Sequence, residues 1–236
     1  MLEDGLSYPI RGDWIGRVII GGVLTAFSVF LIPVFIVLGY LVRVLETTIE
    51  GEETPPEFED WGDMFMKGVI GTVIAFAYTF VPITLYSILA VVVLGVSGAL
   101  GGDLGAVVGL IGVFMLLAFI PVLFLIYYAV PAALGAYATR GEISAAFDVG
   151  LLKPTLLSTE YLTAVILPIV VAFVVWIVSG VLAVTVIGLL LLPFVQFYGQ
   201  VAVFRMFGSA FASVNERIES DTPESEEPPT DDTVVA

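Results

Sequence analysis

The sequence predicts an all-α protein, a polytopic bundle of helices that crosses a membrane several times. Hydrophobic residues make up 59% of the 236 positions, above the roughly 45–50% that is usual in soluble domains. They fall in long uninterrupted blocks, whereas a soluble helix would show a 3.6-residue period and a surface strand would alternate. Apolar blocks of about 18 residues or more that lack charge are typical of membrane helices.

Five hydrophobic blocks make up most of the chain. The predicted membrane segments are residues 14–45, 69–100, 104–138, 161–181 and 186–212. The last two form a predicted hairpin, since residues 161–212 together are too long for one crossing at about 1.5 Å per residue. Its turn is expected between Gly180 and Gly188. Four full spans and an N-terminal segment therefore form one membrane domain, residues 1–214.

The N-terminal block admits two topologies. Residues 14–45 are too short for two full crossings of a hydrocarbon core about 30 Å thick, which favours one long tilted span. A short hairpin that turns near residues 26–28 would instead bring all eight Lys and Arg residues to one side. Basic residues near membrane segments favour the cytoplasmic side, so the charge pattern favours the hairpin. The same rule predicts a cytoplasmic C-terminal tail.

Short amphipathic segments flank the blocks, and we expect interfacial helices at residues 2–12, 57–67 and 142–151. In the second, Phe58, Trp61 and Phe65 share one helical face. Aromatic and basic side chains near the ends of the blocks are predicted interfacial anchors: Trp14, Arg43, Trp61 and Arg140. Arg43 could pair with Asp60, with Glu57 or with a lipid phosphate. Residues 215–236 are acidic and rich in Pro, Ser and Thr, which predicts a disordered tail.

A loose threefold repeat runs through this layout. Each unit joins a short amphipathic segment to two hydrophobic segments, and the second of these ends in Pro, then Gly and Tyr, then Arg. The three endings are Pro33…Gly39-Tyr40…Arg43, Pro131…Gly135…Tyr137…Arg140 and Pro193…Tyr198-Gly199…Arg205. Their spacings differ, so chance similarity and true internal repetition are both open from the sequence.

Charge and composition bound the chemistry. The chain carries 23 acidic and eight basic residues, a formal net charge of −15, which is similar to proteins of halophilic archaea; an acidic regulatory tail is the alternative. Nucleic-acid binding needs Lys and Arg clusters, so no such partner is expected. Cys and His are both absent, which excludes disulfides, thiolate or imidazole zinc sites and Cys or His catalysis. We predict no catalytic residue, no metal site and no cofactor.

The interiors of the hydrophobic blocks are nearly free of charge, which is evidence against proton-coupled or ion-coupled transport. Gln196 and Gln200 lie four residues apart on one helical face, with Tyr198 between them in the sequence. These three side chains are candidate polar contacts inside the membrane. The Gln pair could contact a polar substrate, or it could hydrogen-bond to a neighbouring helix, which is the favoured interpretation.

Several N-terminal motifs together are fairly specific. They are residues 2–9, Asp13-Trp14, Gly21-Gly22, Pro33, Gly39-Tyr40, Arg43, Pro55-Pro56, Phe58, Asp60-Trp61, Met64-Phe65 and Gly68. In this combination the chain resembles the haloarchaeal membrane proteins grouped as domain of unknown function 4013. The resemblance is strongest over the first 85 residues and continues more loosely to Phe211. It implies a multi-pass archaeal membrane protein, and it implies neither an activity nor catalytic residues.

Two functions are compatible with these features. The first is a non-enzymatic component of the cell membrane: a scaffold, an assembly factor or a subunit of a complex. Its partners would be lipids and either further copies of the chain or another membrane protein. The second is a permease or channel for a neutral or amphiphilic small molecule, which requires a polar cavity that reaches the middle of the membrane.

Overall fold

The computed structural model describes residues 1–221, and over that range it contains helices and no strand. The helices are α1 (Leu2–Ser7), α2 (Trp14–Ala26), α3 (Leu31–Ile49), α4 (Trp61–Leu100), α5 (Gly102–Arg140), α6 (Val149–Leu156), α7 (Thr159–Leu182) and α8 (Val186–Asp221), with 3-10 turns at Tyr8–Ile10 and Ile143–Phe147. The predicted all-α class is therefore confirmed.

Within residues 1–221, five helices are long and apolar enough to cross a membrane: α3, α4, α5, α7 and α8. The turn between α4 and α5 lies at Gly101-Gly102, where both residues have positive φ angles of 58° and 54° that only glycine adopts without strain. The turn between α7 and α8 lies at residues 183–185, inside the predicted interval. These turns divide the apolar blocks where the sequence predicts.

The N-terminal block is a short hairpin. It is interrupted at residues 27–30, and the outer ends of its two helices meet, since Arg17 of α2 and Arg43 of α3 both bond to the loop that follows α3. At 13 residues, α2 is about 20 Å long and reaches only part of the way through a bilayer. Pro33 lies in the first turn of α3, where no backbone donor is needed.

Two predicted interfacial helices differ in the structure. Residues 57–60 are not helical, and α4 runs without a break from Trp61, so residues 57–67 are not a separate helix. The chain turns into the membrane helix at Asp60, whose φ is 49°, and not at the end of a separate helix near residue 67. The segment predicted at residues 142–151 is a 3-10 turn followed by α6, which is capped by the Asp148 carboxylate and continues through Pro154.

The predicted tail also begins later than expected. Residues 215–221 continue α8, and no proline falls between Pro193 and Pro223 to end the helix earlier. Arg217 bonds to Glu160 at the start of α7, which ties this last part of α8 to the bundle. The rest of the predicted tail, residues 222–236, lies outside the described residues.

The apolar helices form three hairpins, α2–α3, α4–α5 and α7–α8. Their second helices, α3, α5 and α8, contact one another in the centre, while α4 packs on both α3 and α5 and α2 packs on both α3 and α8. The short elements gather at one end, here called the base: α1, the two 3-10 turns, residues 50–60 and α6. Outside the base, α4–α5 and α7–α8 project with their apolar side chains largely exposed.

The buried core lies in and beside the base. One cluster includes Ile74, Tyr161 and Phe211 between α4, α5, α7 and α8. A second includes Tyr8, Tyr40 and Phe197 beneath residues 50–60. The core thus joins all three hairpins at one end and leaves the projecting parts to be covered by hydrocarbon.

The closest helix crossing is between α3 and α4, and two glycines make it possible. A Cβ atom on Gly39 would lie 1.7 Å from the Met64 carbonyl oxygen, and one on Gly68 would lie 1.7 Å from the Phe35 carbonyl oxygen. Small residues that let backbones touch are the usual means of packing helices in lipid, where no hydrophobic force draws them together.

We predict that Gly68→Ala destabilises the protein by about 3 kcal/mol or more, since the new methyl group meets backbone that must move. Gly95→Ala is the matched control in the same helix, because nothing lies within 4 Å of its added Cβ. That change should leave stability unchanged or raise it by about 0.5–1 kcal/mol. Thermal unfolding in detergent measures both, and equal effects would contradict the proposed crossing.

Candidate functional site

The candidate site is the base, where residues 50–60 form an irregular segment, here called the strap. A segment without regular structure leaves its carbonyls without backbone partners, and buried carbonyls need donors. Arginine and tyrosine side chains from four other elements supply them. The donor–acceptor pairs are Arg205 with Glu52 at 2.7 Å, Arg11 with Glu53 at 3.1 Å, Tyr8 with Thr54 at 3.1 Å, Arg17 with Pro55 at 2.5 Å, Tyr40 with Pro56 at 3.0 Å and Arg43 with Glu59 at 2.6 Å.

This arrangement places the backbone carbonyls of the strap and its carboxylates on different sides. Its carbonyls face the arginines, and the acidic side chains of Glu50, Glu52, Glu53 and Glu59 remain at the surface. Charged donors make stronger hydrogen bonds than neutral ones. The strap is therefore fixed chiefly through its backbone, and Asp60 at its end adds an ion pair with Arg43.

Arg17 is the most enclosed of the arginine donors. Its exposure is 8%, and its guanidinium donates to the carbonyls of Pro55 and Arg11, while its Nε has no hydrogen-bond partner. Gly12 adjoins it: a Cβ there would lie 3.2 Å from one terminal nitrogen of the guanidinium. Arg17 thus joins the start of α2 to the strap through carbonyl oxygens alone.

Asp4 bridges two arginines that are far apart in the chain. Its carboxylate accepts from Arg11 at 2.6 Å and from Nε of Arg205 at 3.0 Å, and the Arg205 guanidinium lies 4.6 Å from the centre of the Tyr8 ring. Burial alone would raise the pKa of the Asp4 carboxyl, but the hydrogen bonds from the two arginines outweigh burial and lower its pKa below the ordinary value. The carboxylate therefore stays charged and holds α1 against α8.

Three arginine–aspartate contacts close the base into a ring. Arg43 reaches Asp60 at 3.4 Å, Arg140 reaches Asp148 at 3.6 Å and Arg205 reaches Asp4 at 3.0 Å. Each arginine ends one of the three predicted repeat units. Each aspartate lies in the short amphipathic segment of the next unit, and the third unit closes the cycle because its Arg205 contacts Asp4 of the first unit. This cyclic correspondence supports true repetition over chance.

Aromatic rings pack beneath the strap. Tyr40 stacks on Phe58 with ring centres 4.2 Å apart, and Phe197 of α8 lies 5.5 Å from Tyr40. Trp61 stacks on the other side of Phe58 at 5.8 Å. Phe65, predicted to share a face with these residues, instead contacts Phe35 of α3. The strap is consequently held both by hydrogen bonds to its carbonyls and by aromatic packing against Phe58.

The four predicted anchors fall in different settings. Trp14 and Trp61 are exposed and begin α2 and α4. Arg43 makes the predicted contact with Asp60 and also reaches Asp63 at 3.4 Å, whereas Glu57 is not among its partners. Arg140 is half exposed beside Asp148. Their role at the lipid headgroups stays a prediction.

The predicted polar contacts in the membrane separate into two places. Gln196 and Gln200 line one cavity of about 160 Å³ between α7 and α8, and the Gln196 amide donates to the Ser179 hydroxyl at 3.3 Å. Tyr198 points elsewhere and donates to the Leu6 carbonyl of α1. Gln196 thus makes an interhelical hydrogen bond, and Tyr198 belongs with the base.

Sequence reasoning missed the carbonyl contacts of the strap. The sequence predicted only the side of the membrane for Arg11 and Arg17 and a place in the repeat for Arg205. The partner of Arg205, Asp4, lies 201 residues away in the chain. The repeat endings were the available signal, because they mark Arg43, Arg140 and Arg205 as equivalent.

We predict that Arg205→Gln destabilises the protein by about 1.5–3 kcal/mol, the usual cost of losing hydrogen bonds to charged groups. Its side chain is only 11% exposed. The matched control is Arg140→Gln, which removes the equivalent contact at a side chain that is 53% exposed. Exposed pairs contribute about 0–1 kcal/mol, so chemical unfolding should rank Arg205→Gln as clearly worse. Equal losses would show that the ring is not held as described.

Comparison with known proteins gives one match. The chain matches the family described as protein of unknown function (DUF4013) over residues 24–184, which is more than half of its length. The match takes in the strap and the Gly39–Gly68 crossing, and it leaves Asp4, Arg11 and Arg205 outside. No curated protein and no solved structure matches the chain. The chain therefore belongs to the DUF4013 family of proteins of unknown function.

Proposed function

We propose that this chain is a non-enzymatic component of a membrane assembly: a scaffold, an assembly factor or a subunit. The observation that carries this proposal is that the basic side chains of the base bond to other parts of the same chain. Seven of the eight basic side chains bond to carboxylates or carbonyls of the chain itself, across the three hairpins. These charged groups therefore hold the fold together, and even Arg140 and Asp148, which line a cavity of about 410 Å³ in the base, pair with each other.

The α4–α5 hairpin is the part best suited to contact a partner within the membrane. None of the most apolar stretch of α4 is buried, compared with 28% of the corresponding stretch of α8. Large apolar side chains such as Val91 and Leu110 project from it. A partner helix or a second copy of the chain would pack against this hairpin.

Chemical cross-linking tests this role, and the absence of native cysteine makes single-cysteine variants straightforward. Val91→Cys in α4, carrying a photoreactive maleimide in native membranes, should yield a cross-linked polypeptide. Val184→Cys is the control, since Val184 is at least as exposed as Val91, 84% against 71%, but lies at the turn between α7 and α8. Native mass spectrometry that finds only monomer, with no cross-link at Val91, would count against the proposal.

We also infer that the base faces the cytoplasm in a cell membrane. All eight basic residues lie in the base or at the base ends of the helices, and the turns at Gly101 and at residues 183–185 contain none. Retention of Lys and Arg on the cytoplasmic side is the rule for short loops. A haloarchaeal source remains a prediction from composition.

Orientation is tested by labelling intact cells with a membrane-impermeant maleimide. Asp103→Cys, in the first turn of α5 beside Gly101-Gly102, should be labelled, whereas Glu53→Cys in the strap should react only after the membrane is opened. Both side chains are exposed, so reactivity reports on sidedness alone. Labelling of Glu53→Cys in intact cells would reverse the inferred orientation.

The second candidate is a permease or channel for a small neutral molecule, and the cavity beside Gln196 and Gln200 favours it. This cavity is small, and those between α4 and α5 and between α5 and α7 are lined by apolar and tyrosine side chains. Uptake of a neutral solute into proteoliposomes, lowered by Gln200→Leu, would favour the permease over the scaffold.

A further inference from the structure

The three units of the ring do not pack equally. In the first two, a glycine lies seven residues after the tryptophan that begins the first helix: Gly21 after Trp14, and Gly68 after Trp61. Gly21 meets the Phe197 ring of α8, and Gly68 meets the backbone of α3. In the third unit, Tyr161 holds the place of the tryptophan, and the residue seven positions later is Pro168.

In this third unit α5 and α7 lie apart in the membrane. They meet at the base, where the Tyr161 hydroxyl donates to the Tyr128 carbonyl at 2.7 Å and the two rings lie 5.1 Å apart. Farther from the base they do not pack along their length, unlike α3 with α4 or α2 with α8. The third contact of the ring is consequently open towards the lipid.

Two apolar cavities occupy this opening. Their volumes are about 390 Å³ and 350 Å³, and Phe124 of α5 and Ile169 of α7 line both, so these side chains form the partition between them. Because one partition spans both helices, a third helix about 10 Å across does not fit between α5 and α7. A single hydrocarbon chain matches the shape and the apolar lining.

The helix at the base end of this opening, α6, carries a cation without a partner among the described residues. Lys153 is exposed on α6, and it is the one basic side chain in the described part of the chain that has no carboxylate or carbonyl partner. It lies one turn before Leu156, whose carbonyl accepts from the Tyr128 hydroxyl, and Tyr128 lines the 350 Å³ cavity. Asp148, at the start of α6, is already engaged by Arg140 and by the amides of Gly150 and Leu151.

We propose that the groove between α5 and α7 binds one chain of an anionic phospholipid whose phosphate lies against Lys153. A phosphate supplies the acceptor that this ammonium group lacks. The apolar groove supplies the site for the chain directly beyond α6. This site is independent of whether the protein acts as a scaffold.

Native mass spectrometry of the full chain, delipidated in neutral detergent, tests the proposal with two lipids that share the same acyl chains. Phosphatidylglycerol should be retained as one molecule per chain, about fivefold more strongly than phosphatidylcholine, the size of one lysine–lipid attraction. Lys153→Gln should remove the preference. Ile166→Trp, which fills the 350 Å³ cavity, should weaken retention of both lipids.

Val174→Trp is the control for the added ring, because Val174 is exposed on α7 and lines neither cavity. It should bind both lipids as the unaltered protein does, and all variants should keep the same unfolding temperature. Equal retention of the two lipids, or an unchanged preference in Lys153→Gln, would overturn the proposal. Displacement of the lipid by millimolar inorganic phosphate would also overturn it, since the chain would then contribute nothing.

Discussion

The fold depends on hydrogen-bond donors for the carbonyls of the strap. A segment that leaves one membrane helix, crosses the base of the bundle and enters another helix has no sheet or helix to pair its backbone. In this protein Arg and Tyr side chains from α2, α3, α8 and the first 3-10 turn supply the donors. Since those donors come from elements far apart in the chain, the strap also joins the hairpins to one another.

Glycine determines how closely the hairpins approach outside this polar layer. At Gly39 and Gly68 the backbones of α3 and α4 touch, and at Gly21 an aromatic ring of α8 lies against α2. The corresponding position of α7 is Pro168, and α5 and α7 do not pack along their length. The three units thus form two closed contacts and one open contact.

Local sequence signals predicted much of this architecture. Hydrophobic blocks located the five long helices, Gly101-Gly102 marked a turn, and the distribution of basic residues favoured the N-terminal hairpin against its short length. The strap could not be predicted in the same way, because the groups through which it is held are its own backbone carbonyls, which carry no residue signature. Residues 57–60 look amphipathic in the sequence. They are not helical because the Glu59 carbonyl accepts from Arg43 and Asp60 has a positive φ angle.

The contact between Asp4 and Arg205 has a consequence for biogenesis. Synthesis proceeds from the N-terminus, so α1 is made long before α8, and Asp4 has only one of its two arginine partners, Arg11, until α8 follows. Two complete hairpins are already in the bilayer by then, and the strap still lacks one of its donors. A chain interrupted before α8 would therefore leave Asp4 paired with Arg11 alone, without the ion pair that holds α1 against α8.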